Sequence, residues 1–283
     1  MTFSLRESSN VILGAQTLSQ TTPIRLGMPH LGSDGLSIAW LMKEAGHIHW
    51  LAVAEALGTA PSQWFDADGR RCFASVVAAT LSGSTVAFQE DTICQFRVVS
   101  RPSPETNWLS QIDLETATGE RVCVELMTTF ATLEGPSNMD LVRSKLSEGI
   151  APPQTMARRA QILRDLGKLE RKRAEGAGTP PHLSIPISEK EHLNGVGLVY
   201  FAQFQNFFAT AEANAIPKMP RGCNLVTRRI HYYGNLDPSD TLDIMTEITT
   251  NVHNISAWLI SFSHARRRSD GNVIATCESS YRV

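Results

Sequence analysis

The sequence predicts an α+β protein built from two similar halves, in each of which an antiparallel sheet wraps around one long helix. The first observation is an apolar stretch at 198–211, in which the polar residues are Gln203, Gln205, Asn206 and Thr210. A helix that is apolar on nearly all sides must be covered on most of them. A curved sheet provides that cover, so we expect this helix to lie inside one.

An internal duplication is the second observation. Residues 30–40, His-Leu-Gly-Ser-Asp-Gly-Leu-Ser-Ile-Ala-Trp, align without gaps with residues 192–202, His-Leu-Asn-Gly-Val-Gly-Leu-Val-Tyr-Phe-Ala. Both read His-Leu-x-x-x-Gly-Leu, and both precede an apolar helix. The third observation is that four strand-like runs follow each copy, as a duplicated unit requires.

The first half follows a short lead-in at 1–22 and covers residues 23–135. A glycine-bearing loop leads into a helix at 36–44, which we expect Gly46 to break before a second helical stretch to Leu57. Runs rich in β-branched and aromatic residues then predict strands at 71–81, 92–100, 107–115 and 121–133. The first half is therefore a helix beside an antiparallel sheet.

A connector at 136–181 separates the halves, with a short helix predicted at 138–148 and a charged helix at 155–175. The charged helix suits a solvated connector, or a surface that meets an acidic carrier protein. The second half, 182–283, repeats the plan, with the apolar helix followed by strands at 223–233, 241–252, 255–266 and 272–283.

Composition narrows the classes of partner. The 283-residue chain has a formal net charge of −2 and a pI near 6.5, so bulk charge favours neither nucleic acid nor an anionic membrane. Five widely spaced cysteines without a Cys-x-x-Cys motif indicate free thiols in a reducing compartment. No apolar run reaches membrane-spanning length. We therefore expect a cytoplasmic protein that binds neither nucleic acid nor membrane.

The duplicated turn carries the residues with chemical potential. If Gly195 and Gly197 open a helix, its free N–H groups suit an oxygen that gains negative charge, such as a thioester carbonyl. The alternative is a turn that needs glycine only for its backbone angles. Asn194 is either an amide donor to the substrate or a turn-forming residue. His192 and its counterpart His30 are either bases or structural loop histidines.

Several segments resemble the double hot-dog proteins of bacterial polyketide clusters, the leinamycin-type acyltransferase/decarboxylase family. The segments are Gly-Met-Pro-His at 27–30, Gly-Leu-Ser at 35–37 with Trp40, Gly46 with His-Trp at 49–50, Asn-Gly-Val-Gly-Leu at 194–198 with Tyr-Phe-Ala at 200–202, and Tyr-Tyr-Gly-Asn at 232–235. The resemblance implies a double hot-dog fold with a site between the halves. It also implies acyl-CoA or acyl carrier protein as substrate, so that CoA or phosphopantetheine enters with the substrate and no separate cofactor is needed.

By this resemblance a nucleophilic tyrosine belongs at 72–75, where this chain has Phe73. Ser37 or Ser75 is then the substitute nucleophile, and decarboxylation alone remains open because it requires an oxyanion site more than a nucleophile. Tyr200 or His192 would assist proton transfer. The remaining predicted substrate-binding residues are Gly35, Gly197, Phe73, Trp40 and Arg228.

We therefore expect an acyltransferase/decarboxylase-like enzyme acting on acyl thioesters. Three alternatives remain: a hot-dog thioesterase with His192 activating water, a dehydratase pairing His30 with Glu212, and a non-catalytic acyl-carrier-protein binding module. A homodimer is compatible with each. His47-x-His49 lacks a supporting ligand cluster, so no metal site is expected.

Overall fold

One antiparallel sheet runs through both halves of the chain in the computed structural model, which describes residues 17–20, 23–103, 107–146, 154–178, 180–216, 223–253 and 256–282. The strands of this sheet are β1 (Thr17–Gln20), β2 (Ile24–Arg25), β5 (Phe73–Ser82), β6 (Ile93–Ser103), β7 (Asn107–Thr116), β8 (Arg121–Leu133), β9 (Leu141–Arg143), β10 (Leu183–Pro186), β11 (Asn224–Tyr232), β12 (Thr241–His253), β13 (Ser256–Arg267) and β14 (Val273–Arg282). Two short strands, β3 (Leu31–Gly32) and β4 (Gly35–Leu36), form a separate hairpin. The helices are α1 (Ile38–Leu57), α2 (Gln154–Glu175), α3 (Glu189–His192) and α4 (Gln203–Ala215).

The sheet is continuous across the two halves, so the prediction of two separate sheets was wrong. Its main strand order is β1-β6-β7-β8-β5-β11-β14-β13-β12-β10, with β2 beside β6 and β9 beside β8. β5 of the first half pairs directly with β11 of the second. The eight predicted long strands are confirmed, because their alternation is a local signal. The pairing between strands of the two halves depends on residues far apart in the chain, and this local signal does not specify it.

The pairing of β5 with β11 covers only part of each strand. It runs from Ser82 opposite Thr227 to Ala78 opposite His231. β11 then ends, and the chain turns away through Gly234 and Asn235. Residues 73–77 of β5 therefore face the second half across a gap in the sheet.

Helices cover both faces of the sheet. α1 and α4 lie on one face and contact each other, with apolar cores beneath them that include Leu41, Phe96, Phe208 and Ile244. α2 crosses the opposite face, where Leu163 packs in a smaller core with β5, β7 and β8. α2 confirms the predicted charged helix.

α1 is one helix, so the predicted break at Gly46 was wrong. A Cβ at this position would lie 2.8 Å from the Phe201 ring. Glycine is thus used for close packing between the halves rather than to end the helix. The cost of a glycine inside a helix, about 1 kcal/mol relative to alanine, is too small to stop a helix that tertiary packing supports.

Two further helix predictions need correction. The apolar helix was predicted from residue 198, but α4 begins at Gln203, and residues 193 and 199 close a hairpin-like turn before it. The helix predicted at 138–148 is, over the described residues 138–146, a single 3-10 turn at 138–140 followed by β9, which pairs with β8; residues 147 and 148 lie outside the described residues. In both places, turn, strand and side-chain hydrogen bonds satisfy the backbone in place of a helix.

Candidate functional site

A cavity of about 520 Å³ occupies the gap between the halves. Residues 73–77 of β5 border it from the first half, and residues 194–196, 198–201 and 232–235 border it from the second. Exposed Arg71 and Arg143 lie at its rim, whereas its interior is lined by aromatic side chains. The predicted position of the site, at the junction of the halves, coincides with this cavity.

Three asparagines hold the loop that borders the cavity. Asn194 Oδ1 accepts the N–H groups of Val196 and Leu198, each at 3.1 Å. Asn235 Oδ1 accepts the N–H of Val199 at 3.0 Å. Buried Asn138, from the connector, donates through Nδ2 to the carbonyl of Gly197 at 2.8 Å. These bonds hold the loop in one conformation although it is not part of a helix.

The same bonds decide which donors remain for a ligand. Within the loop, the N–H groups of residues 194 and 196–200 already donate to protein oxygens. Among the described residues no acceptor pairs with the N–H of Gly195 or with Nδ2 of Asn194. The expected row of free helix N–H groups is therefore absent from this loop, and the two remaining donors are adjacent in sequence.

His192 does not border the cavity. Its Nδ1 accepts the N–H of Ser188 at 3.0 Å, and its ring packs edge-on against Phe207. The lone pair of the neutral ring is thus used, so Nε2 carries the proton and cannot act as a base. His30 repeats the arrangement, with Nδ1 accepting the N–H of Gly27 at 2.8 Å and its ring against Trp40. Both histidines are placed as structural groups.

Tyr200 borders the cavity from the same loop. Burial, followed by the nearby charge of Glu44, raises its pKa to about 12, so its hydroxyl stays protonated. That hydroxyl lies 3.5 Å from the backbone oxygen of Lys43 on α1. Tyr200 is therefore a wall residue with a protonated hydroxyl, not a base.

Phe73 and Ser75 both border the cavity from β5. The guanidinium of Arg71 lies 5.2 Å from the centre of the Phe73 ring. Ser75 stands opposite Thr129 of β8 in the strand register. Of the two serines proposed as substitute nucleophiles, Ser75 is the one beside the cavity.

The predicted site residues of the first turn lie elsewhere. Ser37 caps α1, since its Oγ accepts the N–H of Trp40 at 3.3 Å. Gly35 packs against the backbone of Thr85. Ser37, Gly35 and Trp40 do not line the cavity, and neither does His30. The structure thus separates the two copies of the turn that the sequence treats alike.

Arg228 was predicted to bind substrate and instead forms a buried ion pair with Glu212 of α4. The two residues are 2% and 1% exposed. Tyr281 donates to the same carboxylate at 2.6 Å and Ser261 at 2.5 Å. This network also occupies the carboxylate that a dehydratase pair with His30 would require.

Sequence reasoning missed two residues that shape the site. Asn138 lies in a segment predicted as helix, and no local pattern marks a side chain that bonds a loop about 60 positions away. Arg71 was treated only as the start of a strand. Asn235 was noticed within the Tyr-Tyr-Gly-Asn segment, but without a role. Hydrogen bonds between side chains and distant loops produce no periodic pattern in a single sequence.

Comparison with solved structures supports the fold. The chain is similar to an oleoyl thioesterase from Lactobacillus plantarum, with 12% identity over 94% of this chain and 95% of the other and a TM-score of 0.60. It is also similar to the 12:0-ACP thioesterase from Umbellularia californica, with 10% identity over 94% of each chain and a TM-score of 0.60. An acyl-ACP thioesterase from Bacteroides thetaiotaomicron has 8% identity over 93% of this chain and 97% of the other, with a TM-score of 0.57.

At such identities the similarity establishes the fold alone, a double hot-dog-like layout with one large antiparallel sheet and few helices. No protein-family model matches the sequence, and no curated protein sequence is detectably similar to it. Within the described ranges no helix is long and apolar enough to cross a membrane. In the same ranges, no three His, Cys, Asp or Glu side chains gather as a metal ion would require.

Proposed function

We propose that this protein is an enzyme that binds an acyl thioester of CoA or of an acyl carrier protein in the cavity between its halves. The observation that carries the proposal is the pair of unpaired donors, Asn194 Nδ2 and the Gly195 N–H, beside an aromatic-lined interior. A thioester oxygen that gains negative charge is stabilised by such fixed donors. The acyl group would occupy the apolar interior.

The reaction we favour is decarboxylation of an α-carboxyacyl thioester of the malonyl type. The bond to the carboxylate breaks, carbon dioxide leaves, and the electron pair moves to the thioester oxygen as an enolate that later takes a proton on carbon. Among the described residues that line the cavity there is no carboxylate and no imidazole; the polar side chains there are amides, hydroxyls, the Cys72 thiol and the arginines of the rim. Such a site assists charge development on oxygen and offers no base to activate water.

Acyl transfer would add a covalent step at Ser75. Its hydroxyl oxygen would attack the thioester carbon, the C–S bond would break, and the proton would pass to the departing thiolate. The position of Ser75 beside Phe73 on the cavity wall supports this extension. The family resemblance favours the combined activity.

Hydrolysis is the second candidate, favoured by the three similar structures that are described as thioesterases. It differs from decarboxylation in its products. A thioesterase releases free CoA and a free acid, whereas a decarboxylase leaves the thioester intact and shortens the acyl group by one carbon.

The test incubates the protein with malonyl-CoA, methylmalonyl-CoA and acetyl-CoA and analyses small molecules and intact protein by mass spectrometry. We expect acetyl-CoA and propionyl-CoA from the first two substrates. An adduct mapped to Ser75 would establish transfer. Free CoA as the main product would replace decarboxylation by hydrolysis. Binding without any product would reduce the protein to a binding module.

A variant test addresses the donors directly. Asn194→Asp keeps Oδ1 to hold the loop and removes the Nδ2 donor, so we expect kcat to fall about 100- to 1,000-fold. Asn206→Asp, on the exposed surface of α4, is the matched control and should leave kcat unchanged. An active Asn194→Asp enzyme would remove Asn194 from the chemistry.

A further inference from the structure

The buried end of the cavity is a wall of aromatic rings contributed by both halves. Trp50 of α1 lies edge-on to Phe201, with 6.0 Å between the ring centres. Tyr232 of β11 lies 6.3 Å from Phe201 and 5.4 Å from Phe204. Phe201 and Phe204 are 8% and 2% exposed. The wall therefore closes the cavity on the side of the helices, opposite the exposed Arg71 and Arg143.

Hydrogen bonds fix the rings of this wall in place. Trp50 Nε1 donates to the backbone oxygen of Ala74 at 3.0 Å, which ties α1 to β5 beside the gap. The Tyr232 hydroxyl donates to the backbone oxygen of Phe201 at 3.2 Å. Rings held by both packing and backbone bonds cannot swing away without losing these contacts. The wall is thus a rigid boundary.

Gly46 shows that the Phe201 ring packs directly against α1. A Cβ on Gly46 would lie 2.8 Å from both Cε1 and Cζ of the Phe201 ring, closer than real Cβ atoms come to their neighbours. The ring is therefore seated directly on the backbone of α1. A ligand that enters from the rim cannot extend along α1 past this contact.

From these contacts we propose that Phe201 is a specificity-determining residue that limits the acyl group to a short chain. This inference rests on the proposed function, since it assigns the buried end of the same cavity to the acyl group. The bulky carrier stays outside at the rim, and Asn194 and Gly195 hold the carbonyl between rim and wall. The substrates are then short acyl thioesters, and a long acyl chain meets the Phe201 ring.

The test measures binding of the full-length protein to stable thioether analogues, ethyl-, butyl-, octyl- and dodecyl-CoA, by isothermal titration calorimetry. We expect the affinity of the native protein to rise from ethyl to butyl and to fall for octyl and dodecyl. Each methylene that fits an apolar site raises the affinity by up to about fourfold, so a chain-length limit appears as a reversal of this rise. Steadily rising affinity up to dodecyl-CoA would overturn the inference and leave the proposed function standing.

Variants locate the limit. Phe201→Ala should raise the affinity for octyl-CoA relative to butyl-CoA at least tenfold, and Phe201→Leu should give a smaller change in the same direction with less risk to folding. Phe207→Ala is the matched control, because Phe207 is equally buried on α4 and does not line the cavity. An unchanged ratio in both Phe201 variants would overturn the assignment. Failure of every analogue to bind, together with no turnover of any thioester, would instead refute the proposed function.

Discussion

The two copies of the duplicated turn have the same local construction. In the first, Leu31 pairs with Leu36 and the Ser37 N–H donates to the carbonyl of His30 at 2.8 Å. In the second, Leu193 pairs with Val199 and the Tyr200 N–H donates to the carbonyl of His192 at 2.9 Å. The second turn is one residue longer, so the gap-free alignment fails after it, and Ser37 corresponds to Tyr200.

The surroundings of the two turns differ completely. The first is covered by the segment after β5: the Leu36 N–H donates to the carbonyl of Thr85 at 3.1 Å, and nearby Phe88 is fully buried. A Cβ on Gly35 would come 2.3 Å from Thr85 O. In the second turn, nothing lies within 4 Å of a Cβ built on Gly195 or Gly197. The duplication therefore gives one open site per chain, and the same turn serves packing in one half and lines a cavity in the other.

The helices that follow the turns differ in a parallel way. Each presents a buried polar side chain that bonds to the sheet. On α1, His49 lies 2.6 Å from Ser110 Oγ of β7. On α4, the carboxylate of Glu212 accepts from Ser261 of β13 and from Arg228. The first half thus buries a neutral polar group where the second half buries an ion pair.

The largest effect is expected from Glu212→Gln. This change leaves Arg228 buried without its counter-charge, and we expect a loss of about 3–5 kcal/mol in the free energy of unfolding. Urea unfolding followed by circular dichroism measures it. Substrate affinity of the folded fraction should not change, because Arg228 lies away from the cavity.

Glu247→Gln is the control for this prediction. Glu247 is partly exposed and pairs with Arg173 at 2.7 Å, so its loss should cost less than about 1 kcal/mol. Equal destabilisation by the two variants would show that burial of the Glu212 pair is not what makes it important.

The two positive-φ glycines of the turns give the next prediction. Gly35→Ala combines a φ of +101° with a backbone clash, and we expect a loss of about 3 kcal/mol or more. Gly197→Ala meets only the strain of a φ of +82° and should lose about 1–2 kcal/mol. Thermal unfolding of both variants measures the difference. If Gly197→Ala proves the more damaging, the second turn is not open as described.

His49 predicts an acid sensitivity that arises in the first half. Burial lowers its pKa to about 3, whereas the unfolded chain has a histidine pKa near 6.5. The unfolded state therefore binds the extra proton as pH falls, and stability declines from about pH 6.5 towards pH 3. By pH 5 the loss amounts to about 2 kcal/mol.

His49→Gln removes this proton and should flatten the stability curve between pH 6.5 and pH 5 by that amount, as measured by urea unfolding at each pH. Burial also lowers the pKa of His264, to about 4, and that contribution is common to both proteins and cancels in the difference. His47→Gln, on the exposed side of the same helix, is the control and should leave the slope unchanged. If the stability of His49→Gln depended on pH as steeply as that of the native protein, His49 would not be the source of the acid sensitivity.

The sequence alone determined the elements and their repetition. Alternating apolar residues marked the eight long strands, and a charged pattern marked α2, because these signals are local and periodic. The repeated His-Leu-x-x-x-Gly-Leu pattern predicted two similar halves and drew attention to the loop at 194–200 that borders the cavity.

Only the tertiary structure decided what the repeated elements do. β5 and β11 pair over a short register and then diverge, which joins two sheets into one and opens the cavity beside a single turn. Asn138, Arg228 and Gly46 acquired their roles from partners far away in the chain. Such contacts depend on which surfaces meet, and neither residue type nor spacing specifies that meeting in one sequence.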